Sequence, residues 1–516
     1  MDTTPRLFEI IERLDASDDV DAFMRFVQDS THDADGLVFA VYHMLGKIRF
    51  RAAYLLATVL VERGLQNPFL SIALSLGGLI AQHPAHMAYG LEHLTRQAEV
   101  LLTEQPAVYE HVLTTVIDPA MRHLLATALA NENRAQILQL LEVLKAFSPR
   151  FRTLFDWNAP IPEFSWEGAR RQGQEQRAQL LHYPLPPPGK IQMRRVLVVL
   201  REFIFPDKSW SRPYDYGPRI VAAMNAYGWH TTFYPLKGVD LVAEAQEIVE
   251  ACRQQDVELL VLDDDIMMKV TPLRSHLIAQ LRQALPSLKI VSILMDAWEP
   301  DANSLRESIA LVDRVWTVDA PSRPVWRDPA IAPKMLHLPV PALAENYFAP
   351  SQPLTKEPRF FGSISGFNWH RAFWMVAFEH ARLPVKSQVA THQTDHLPAL
   401  ESYTHYMRGL AEATCCINLT MRANQHCIVT GRSFETPHSG ALLLQERSQD
   451  MYHFFVPGEH YLEFSTLPEL AALIRFVQEH PAEAEVVRQQ GHAFVKERYS
   501  DEKLIGYLDK ALFFPD

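Results

Sequence analysis

One acidic residue stands in a helical run late in the chain, in the stretch GRSFETPHSGALLLQE from Gly431 to Glu446. Glu435 lies near the start of the predicted helix, where the positive end of the helix dipole favours acids and phosphates. Arg432 lies just upstream, and guanidinium groups suit bidentate recognition of phosphate. These residue types favour a nucleoside-diphosphate site, in which the carboxylate accepts the ribose hydroxyls. The alternative is a surface helix on which Glu435 pairs with a neighbouring arginine.

Further polar residues are expected at the same sheet edge. Asn418 and Thr420 end the predicted strand CCINLT, and Arg422 follows in the loop MRANQHCIVTG. The carboxyl ends of parallel strands form the crevice in which open α/β sheets bind ligands. His370 follows a glycine-containing turn, FFGSISGFNWHR, from which it is predicted to reach a phosphate.

The elements that must position these residues are alternating strands and helices. From Met193 onward, short apolar runs such as RRVLVVL and VELLVLDDD alternate with helical patterns such as AEAQEIVEACRQQ. A second series starts at PRFFGSISG. Alternation of this kind predicts parallel sheets covered by helices on both faces. The predicted fold class is therefore α/β, with two tandem Rossmann-like domains after an all-helical domain.

The predicted domain boundaries follow changes of pattern along the chain. Residues 1–150 repeat apolar positions at helical spacing and are predicted to form an all-helical domain that packs on the rest of the chain or binds a protein partner. Residues 151–190, which include PLPPPG, are predicted to be a linker. Residues 191–350 form the first Rossmann-like domain and residues 351–516 the second.

The composition excludes several classes of protein. Of the 516 residues, 48% are hydrophobic and 21% charged, as in a globular protein, and the net charge of -12 argues against a general binder of nucleic acid or anionic membranes. The four cysteines show no regular spacing, which favours a reducing, cytoplasmic environment. The most apolar window, Asn67 to Ala81, is short for a bilayer span and predicts a buried helix, and no signal peptide or transmembrane segment is expected.

The second half resembles the C-terminal domain of GT-B glycosyltransferases. The resemblance is carried by FFGSISGFNWHR, LAEATCCINLTMR and GRSFETPHSGALLLQE, and by the tail that begins FFVPGEHYLEF. It is closest to group-1-type transferases that include the spore-maturation CgeB-like proteins. It covers about residues 355 to 505 in detail, and residues 193 to 350 only as a fold pattern.

The resemblance implies roles for particular residues. Glu435 would bind the ribose and Arg432 would lie near the diphosphate. Residues Gly362, Ser363 and Gly366 would form the loop whose backbone N–H groups approach phosphate. Many retaining members have a second glutamate eight positions before the ribose-binding one, and here that position is Cys427. This departure leaves the stereochemical outcome open.

The first half is expected to face the acceptor. Asp296, in LMDAWEPDAN, follows a predicted strand and is the candidate general base, with structural capping as the alternative. Aromatic side chains stack on sugars, so Trp210, Tyr214 and Tyr216 in the long loop after the first strand are candidate acceptor contacts, with packing on the helical domain as the alternative. The aspartates of LVLDDD are interpreted as a loop and helix cap. No bound metal is expected, because GT-B enzymes usually do not need a bound metal.

The sequence thus predicts a glycosyltransferase that moves a sugar from a nucleotide-sugar to a glycan or protein acceptor in the cleft between the domains. A nucleotide-sugar epimerase on the same fold is one alternative. A catalytically inactive scaffold that binds a partner through its helical domain is another. The sugar, the nucleotide, the acceptor and the oligomeric state are left open.

Overall fold

A computed structural model of the chain describes residues 25, 34–187, 189, 192–201, 214–236, 241–263, 271–294, 306–307, 309–347, 357–364, 368–390, 399–422 and 426–514. The N-terminal part is helical. Its helices are α1 (Ala34–Gly46), α2 (Phe50–Glu62), α3 (Pro68–Ile80), α4 (Pro84–Glu104), α5 (Pro106–Val112), α6 (Asp118–Ala130), α7 (Arg134–Phe147), α8 (Pro149–Leu154) and α9 (Trp166–Gln176). A π-helical turn, Leu113–Ile117, joins α5 to α6.

Helix α3 corresponds to the apolar window that was predicted to be a buried helix. Asn67 caps its start, because the Asn67 side chain accepts a hydrogen bond from the backbone N–H of Phe69 at 3.0 Å. Close packing requires a glycine at Gly77, where a Cβ would lie 2.3 Å from the Tyr54 side chain. In the described part of the chain, every helix is too short or too polar to cross a membrane.

The first sheet has six described strands, all parallel, in the order β2-β1-β3-β4-β5-β6. The sheet is covered on both faces, as the continuous burial of Val196 to Leu200 in an interior strand shows. The strands are β1 (Arg195–Arg201), β2 (His230–Leu236), β3 (Leu259–Asp263), β4 (Lys289–Ile293), β5 (Arg314–Thr317) and β6 (Met335–His337). The connecting helices are α10 (Tyr216–Ala226), α11 (Leu241–Gln254) and α12 (Thr271–Ala284).

The second sheet has five described strands, again parallel, in the order β11-β10-β9-β7-β8. They are β7 (Arg359–Ser363), β8 (Lys386–Ala390), β9 (Cys415–Asn418), β10 (Leu442–Glu446) and β11 (Leu462–Phe464). The helices are α13 (Arg371–His380), α14 (Ala399–Ala411), α15 (Gly431–His438), α16 (Leu467–Glu479), α17 (Pro481–Arg498) and α18 (Asp501–Phe513). The predicted fold class is confirmed, and the domain boundaries stay predictions.

Helix α15, which carries the candidate carboxylate, is fixed at its C-terminal end by α17. Arg488 donates to the carbonyl of Gly440 at 3.0 Å, and Nδ1 of His492 donates to the carbonyl of Pro437 at 2.8 Å. Gly440 itself has a φ of 77°, which only glycine adopts without strain. These contacts satisfy carbonyls that the end of a helix would otherwise leave unpaired.

The helical region packs on the second sheet. Phe151 of α8 and Phe155, which follows this helix, form one aromatic cluster with Trp369 and with Trp374 of α13. Nε1 of Trp369 also donates to the buried carboxylate of Asp118 at 2.6 Å. Helix α9, in the segment predicted to be a linker, also contacts the second half, because Nε1 of Trp166 donates to the carbonyl of Gly458 at 3.0 Å.

The last helix, α18, returns to the first half. The hydroxyl of Tyr227 donates to Asp509 at 3.4 Å, and the guanidinium of Arg194 lies 4.0 Å from the centre of the Phe513 ring. The two sheets are therefore connected at both the β6–β7 segment and the C-terminus.

Candidate functional site

Glu435 lies on α15 and accepts hydrogen bonds from two other elements. Its Oε2 accepts from the hydroxyl of Tyr406 on α14 at 3.1 Å, and its Oε1 accepts from Nη1 of Arg219 on α10 at 3.2 Å. Its side chain is 13% exposed. Glu435 is thus paired with an arginine, as the alternative interpretation expected. That arginine comes from the other sheet, however, and the pair is not on a free surface.

Arg219 is almost fully enclosed, with 1% of its surface exposed. Besides Glu435, its guanidinium donates to Asp215 at 3.0 Å and to the carbonyl of Pro341 at 2.8 Å, and it lies 3.7 Å from the centre of the Tyr403 ring. Desolvation opposes its charge, but Tyr403, Asp215 and Glu435 more than offset that effect and raise the pKa of Arg219 above its ordinary value. A buried arginine with this many partners holds its neighbours in fixed positions.

Arg432 and Gly362 meet at the carboxyl end of β7. A Cβ on Gly362 would lie 3.6 Å from Nη1 of Arg432 and 3.1 Å from Nη1 of Arg371. Nε of Arg432 donates to the hydroxyl of Tyr406 at 3.3 Å, and that hydroxyl donates in turn to Glu435. The structure therefore brings the predicted residues Gly362, Arg432 and Glu435 together, with two guanidinium groups beside the glycine.

Asn418, at the end of β9, is fully buried. Its Nδ2, with two N–H groups, lies within hydrogen-bond distance of three oxygens, those of Thr430 at 3.1 Å, Ser433 at 3.1 Å and Gln445 at 2.8 Å. These bonds tie β9, α15 and β10 to one another, so Asn418 positions the helix that carries Glu435. Its predicted contact with a donor stays a prediction.

Ser363 and Arg422 are joined through Asn368. Nη1 of Arg422 donates to Oδ1 of Asn368 at 2.6 Å, and Nδ2 of Asn368 donates to the hydroxyl of Ser363 at 3.1 Å. Arg371 donates to the carbonyl of Ser363 at 3.1 Å. This network joins Ser363 to Asn368, and Gly366, which lies between them in the sequence, is outside the described residues.

His370 is buried at the start of α13, with 1% of its surface exposed. Neither ring nitrogen has a hydrogen-bond partner among the described residues. Burial lowers the pKa of His370 well below its ordinary value, and the charges of Arg371, Arg422 and Arg150 lower it further. A phosphate contact by His370, which stays a prediction, would therefore involve a neutral imidazole.

In the first half, Tyr214 and Tyr216 lie at the start of α10 with their ring centres 4.6 Å apart. The guanidinium of Arg201, at the end of β1, lies 5.4 Å from the Tyr214 ring, and that of Arg219 lies 5.5 Å from the Tyr216 ring. The predicted acceptor-side tyrosines are thus close to the arginine that holds Glu435. The other first-half candidates, Trp210 and Asp296, lie outside the described residues, as do Asp264 and Asp265.

Cys427, eight positions before Glu435, packs against the helical region. Nη2 of Arg150 donates to its sulfur at 3.0 Å. Burial, followed by the charge of Glu446, raises the pKa of the Cys427 thiol. The thiol is therefore protonated near neutral pH and unsuited to act as a nucleophile.

Sequence reasoning missed Arg219, Tyr403 and Tyr406. The available signals were an arginine inside the apolar helical run GPRIVAAM and two tyrosines three positions apart in ESYTHYMRG. Residues at that spacing share a helix face. Neither signal indicates which sheet the face contacts.

Comparison with known proteins bears on the second half. Residues 353–507 match a family model described as glycosyl transferase-like. The predicted resemblance to a glycosyltransferase is confirmed for this segment, and the CgeB-like subtype stays a prediction. No curated protein was found that matches the chain.

Several solved structures are similar to the chain. Anabaena HepE in complex with UDP and glucose is 9% identical, with 62% of this chain and 100% of that chain covered and a TM-score of 0.43. Sucrose-phosphate synthase from Thermosynechococcus elongatus is 12% identical, with 62% of this chain and 99% of that chain covered and a TM-score of 0.41. An O-GlcNAc transferase mutant from Thermobaculum terrenum is 11% identical, with 93% of this chain and 99% of that chain covered and a TM-score of 0.30.

Proposed function

We propose that the protein is a glycosyltransferase that moves a hexosyl or related group from a nucleotide-sugar to an acceptor hydroxyl. The observation that carries the proposal is the convergence of Gly362, Arg432 and Glu435 at the carboxyl edge of the second sheet. All three lie in the segment that matches the glycosyl transferase-like model. Carboxyl edges of parallel sheets are where such folds bind nucleotides.

In the proposed complex, each part of the donor has a matching group. The carboxylate of Glu435 accepts hydrogen bonds from the two ribose hydroxyls. Backbone N–H groups of the turn that follows Gly362 are proposed to approach the diphosphate, and the guanidinium of Arg432 to offset its charge. Because protein cations can serve this purpose, no bound metal is part of the proposal.

Transfer requires an acceptor hydroxyl at the anomeric carbon. The hydroxyl oxygen forms the new C–O bond, the bond to the diphosphate breaks, and the nucleoside diphosphate leaves with the electron pair. Asp296 is the proposed base that takes the hydroxyl proton. Tyr214 and Tyr216 are proposed to contact a glycan or protein acceptor, which the helical region, residues 1–150, helps to recruit. A closed cleft would limit hydrolysis of the donor.

The proposal is tested by calorimetric titration of UDP-, GDP- and ADP-sugars into the wild type and Glu435→Gln. At least one donor should bind the wild type, and Glu435→Gln should weaken that binding at least about tenfold, because a charge-assisted hydrogen bond contributes about 1.5–3 kcal/mol. Glu412→Gln is the matched control. Glu412 also pairs with an arginine, Arg359, at 3.2 Å, but it is 57% exposed.

Equal binding by wild type and Glu435→Gln would overturn the site assignment. Binding of none of the three donors would overturn the donor class and favour the inactive-scaffold alternative. Turnover of a donor without any acceptor would instead favour the epimerase.

A further inference from the structure

Arg219 links three separate parts of the molecule. It forms an ion pair with Asp215, just before the start of its own helix, donates to the carbonyl of Pro341 in the segment between the two sheets, and donates to Glu435 on α15 of the second half. It also donates to the carbonyl of Val340 at 3.5 Å. A change in the placement of one sheet relative to the other must therefore break or stretch at least one of these bonds.

The hydrogen bonds that Glu435 makes within the protein leave acceptor sites on its carboxylate for the hydroxyls of a ribose. A carboxylate has about four lone-pair sites on its two oxygens. Arg219 takes one site on Oε1 and Tyr406 takes one on Oε2. One site on each oxygen is left for two adjacent hydroxyls, so the two protein donors orient the carboxylate without filling it.

We propose that Arg219 is a positioning residue that couples the relative placement of the two sheets to nucleotide binding at Glu435. The inference rests on the proposed function, because it takes Glu435 to be the ribose ligand. When the sheets are together, Arg219 fixes the carboxylate in the orientation that accepts both hydroxyls. When they separate, Glu435 loses its cationic partner and keeps only the hydrogen bond from Tyr406, which constrains the carboxylate less. By reciprocity, a bound nucleotide must favour the closed arrangement.

Hydrogen exchange on the wild-type protein tests the coupling without a substitution. The probes are UDP, GDP and ADP, each at saturating concentration. A nucleotide that protects amides of α14 and α15 should also protect those of α10 and of the segment 338–347. Protection of α14 and α15 alone would overturn the inference, since the second sheet would then bind nucleotide without engaging Arg219.

Substitution of Arg219 provides the second test, with calorimetry of the same nucleotides. Arg219→Met, which keeps the length of the side chain without its charge, should weaken binding by about 5- to 150-fold, the usual range for coupled sites. Arg219→Lys should restore part of the affinity, because it keeps the charge but not the planar fork. If Arg219→Lys recovers nucleotide affinity that Arg219→Met loses, the loss in Arg219→Met reflects the missing charge and not a failure to fold.

Arg282→Met is the matched control for that series. Arg282 also bridges a carboxylate, Asp313 at 2.7 Å, and a backbone carbonyl, that of Leu288, within the first sheet. Among the described residues, these contacts of Arg282 lie within the first half, so Arg282→Met should bind nucleotide like the wild type. Wild-type affinity in Arg219→Met, together with a loss in Glu435→Gln, would overturn this inference alone. Wild-type affinity in Glu435→Gln would overturn the proposed site and this inference with it.

Discussion

Tyr406 joins the two charged residues of the candidate site. Its hydroxyl accepts from Nε of Arg432 and donates to Oε2 of Glu435. Burial and the nearby Glu435 charge raise the pKa of Tyr406, so the hydroxyl keeps its proton and stays a donor. A cation, a neutral hydroxyl and an anion in series hold Glu435 apart from Arg432, which leaves the guanidinium available to a phosphate.

Tyr406→Phe should weaken nucleotide binding by about tenfold, because it removes one hydrogen bond that orients Glu435 and one that orients Arg432. The ring and its packing are kept, so the unfolding temperature should change little. Tyr507→Phe is the control, since its hydroxyl donates to the carbonyl of Arg498 at 2.9 Å, away from the site. Calorimetry measures the affinity. Equal nucleotide affinity in Tyr406→Phe and wild type would show that the hydrogen bond from Tyr406 is not needed to orient Glu435.

His438, three positions after Glu435, should make stability depend on pH. Burial, with smaller contributions from His492 and Arg219, lowers its pKa to about 3. The unfolded chain binds the proton near pH 6.5 and the folded protein does not, so the free energy of unfolding falls as pH falls from about 6.5 toward 3. At pH 5 the loss from this residue is about 2 kcal/mol.

His438→Phe should remove that part of the pH dependence while keeping the stacked contact with the Tyr347 ring, whose centre is 4.4 Å away. The measurement is denaturant unfolding of both proteins at pH 7 and pH 5. The decrease between the two pH values should be smaller in His438→Phe. The same decrease in both proteins would contradict a neutral, buried His438.

At the level of the elements, the strands and their alternation with helices were predictable, and the contacts between elements were not. Strand β10 coincides with the predicted run ALLLQE because a strand buried on both faces is a continuous apolar run. Asn418 was correctly placed at the end of β9, but its side chain turns out to be enclosed by α15 and β10. Arg219 was missed because its partner Glu435 is 216 positions away, on the other sheet.

Asn418→Leu should lower the free energy of unfolding by about 1–3 kcal/mol, because it removes the donor to the buried hydroxyl of Ser433 and to the half-buried hydroxyl of Thr430, and leaves Oε1 of Gln445 with Ser433 as its donor. Because α15 is displaced as well, nucleotide affinity should also fall. Chemical unfolding and calorimetry measure the two effects. The control is Asn158→Leu at an exposed position. A stability loss no larger than that of the control would contradict the tie between β9, α15 and β10.

At the level of the whole molecule, the helical region and the second sheet share one core. Phe151 of α8 packs on Phe373 of α13, and Trp369 donates to Asp118 of α6. The helical region therefore moves with the second sheet, which is the proposed donor half. An acceptor recruited by the helices would be carried on the donor side of the cleft and presented to the first sheet when the halves close.

Trp369→Phe should lower the free energy of unfolding more than Trp229→Phe does. Both tryptophans are buried, but Nε1 of Trp369 bonds to Asp118, whereas Nε1 of Trp229 has no hydrogen-bond partner among the described residues. The additional loss should be about 1–3 kcal/mol, because Asp118 is left buried with one donor fewer. Chemical unfolding of both variants measures the difference. Equal losses would contradict the importance of this contact for joining the two regions.

The central claim is that Glu435 binds the ribose of a nucleotide on the second sheet. The most direct measurement is a crystal structure of the protein with UDP, GDP or ADP, in which the distances from the ribose hydroxyls to the Glu435 carboxylate are read. We expect two hydroxyl-to-carboxylate distances of about 2.6–3.0 Å, with the diphosphate beside Gly362 and Arg432. A nucleotide whose ribose lies away from Glu435, or against the first sheet, would contradict it.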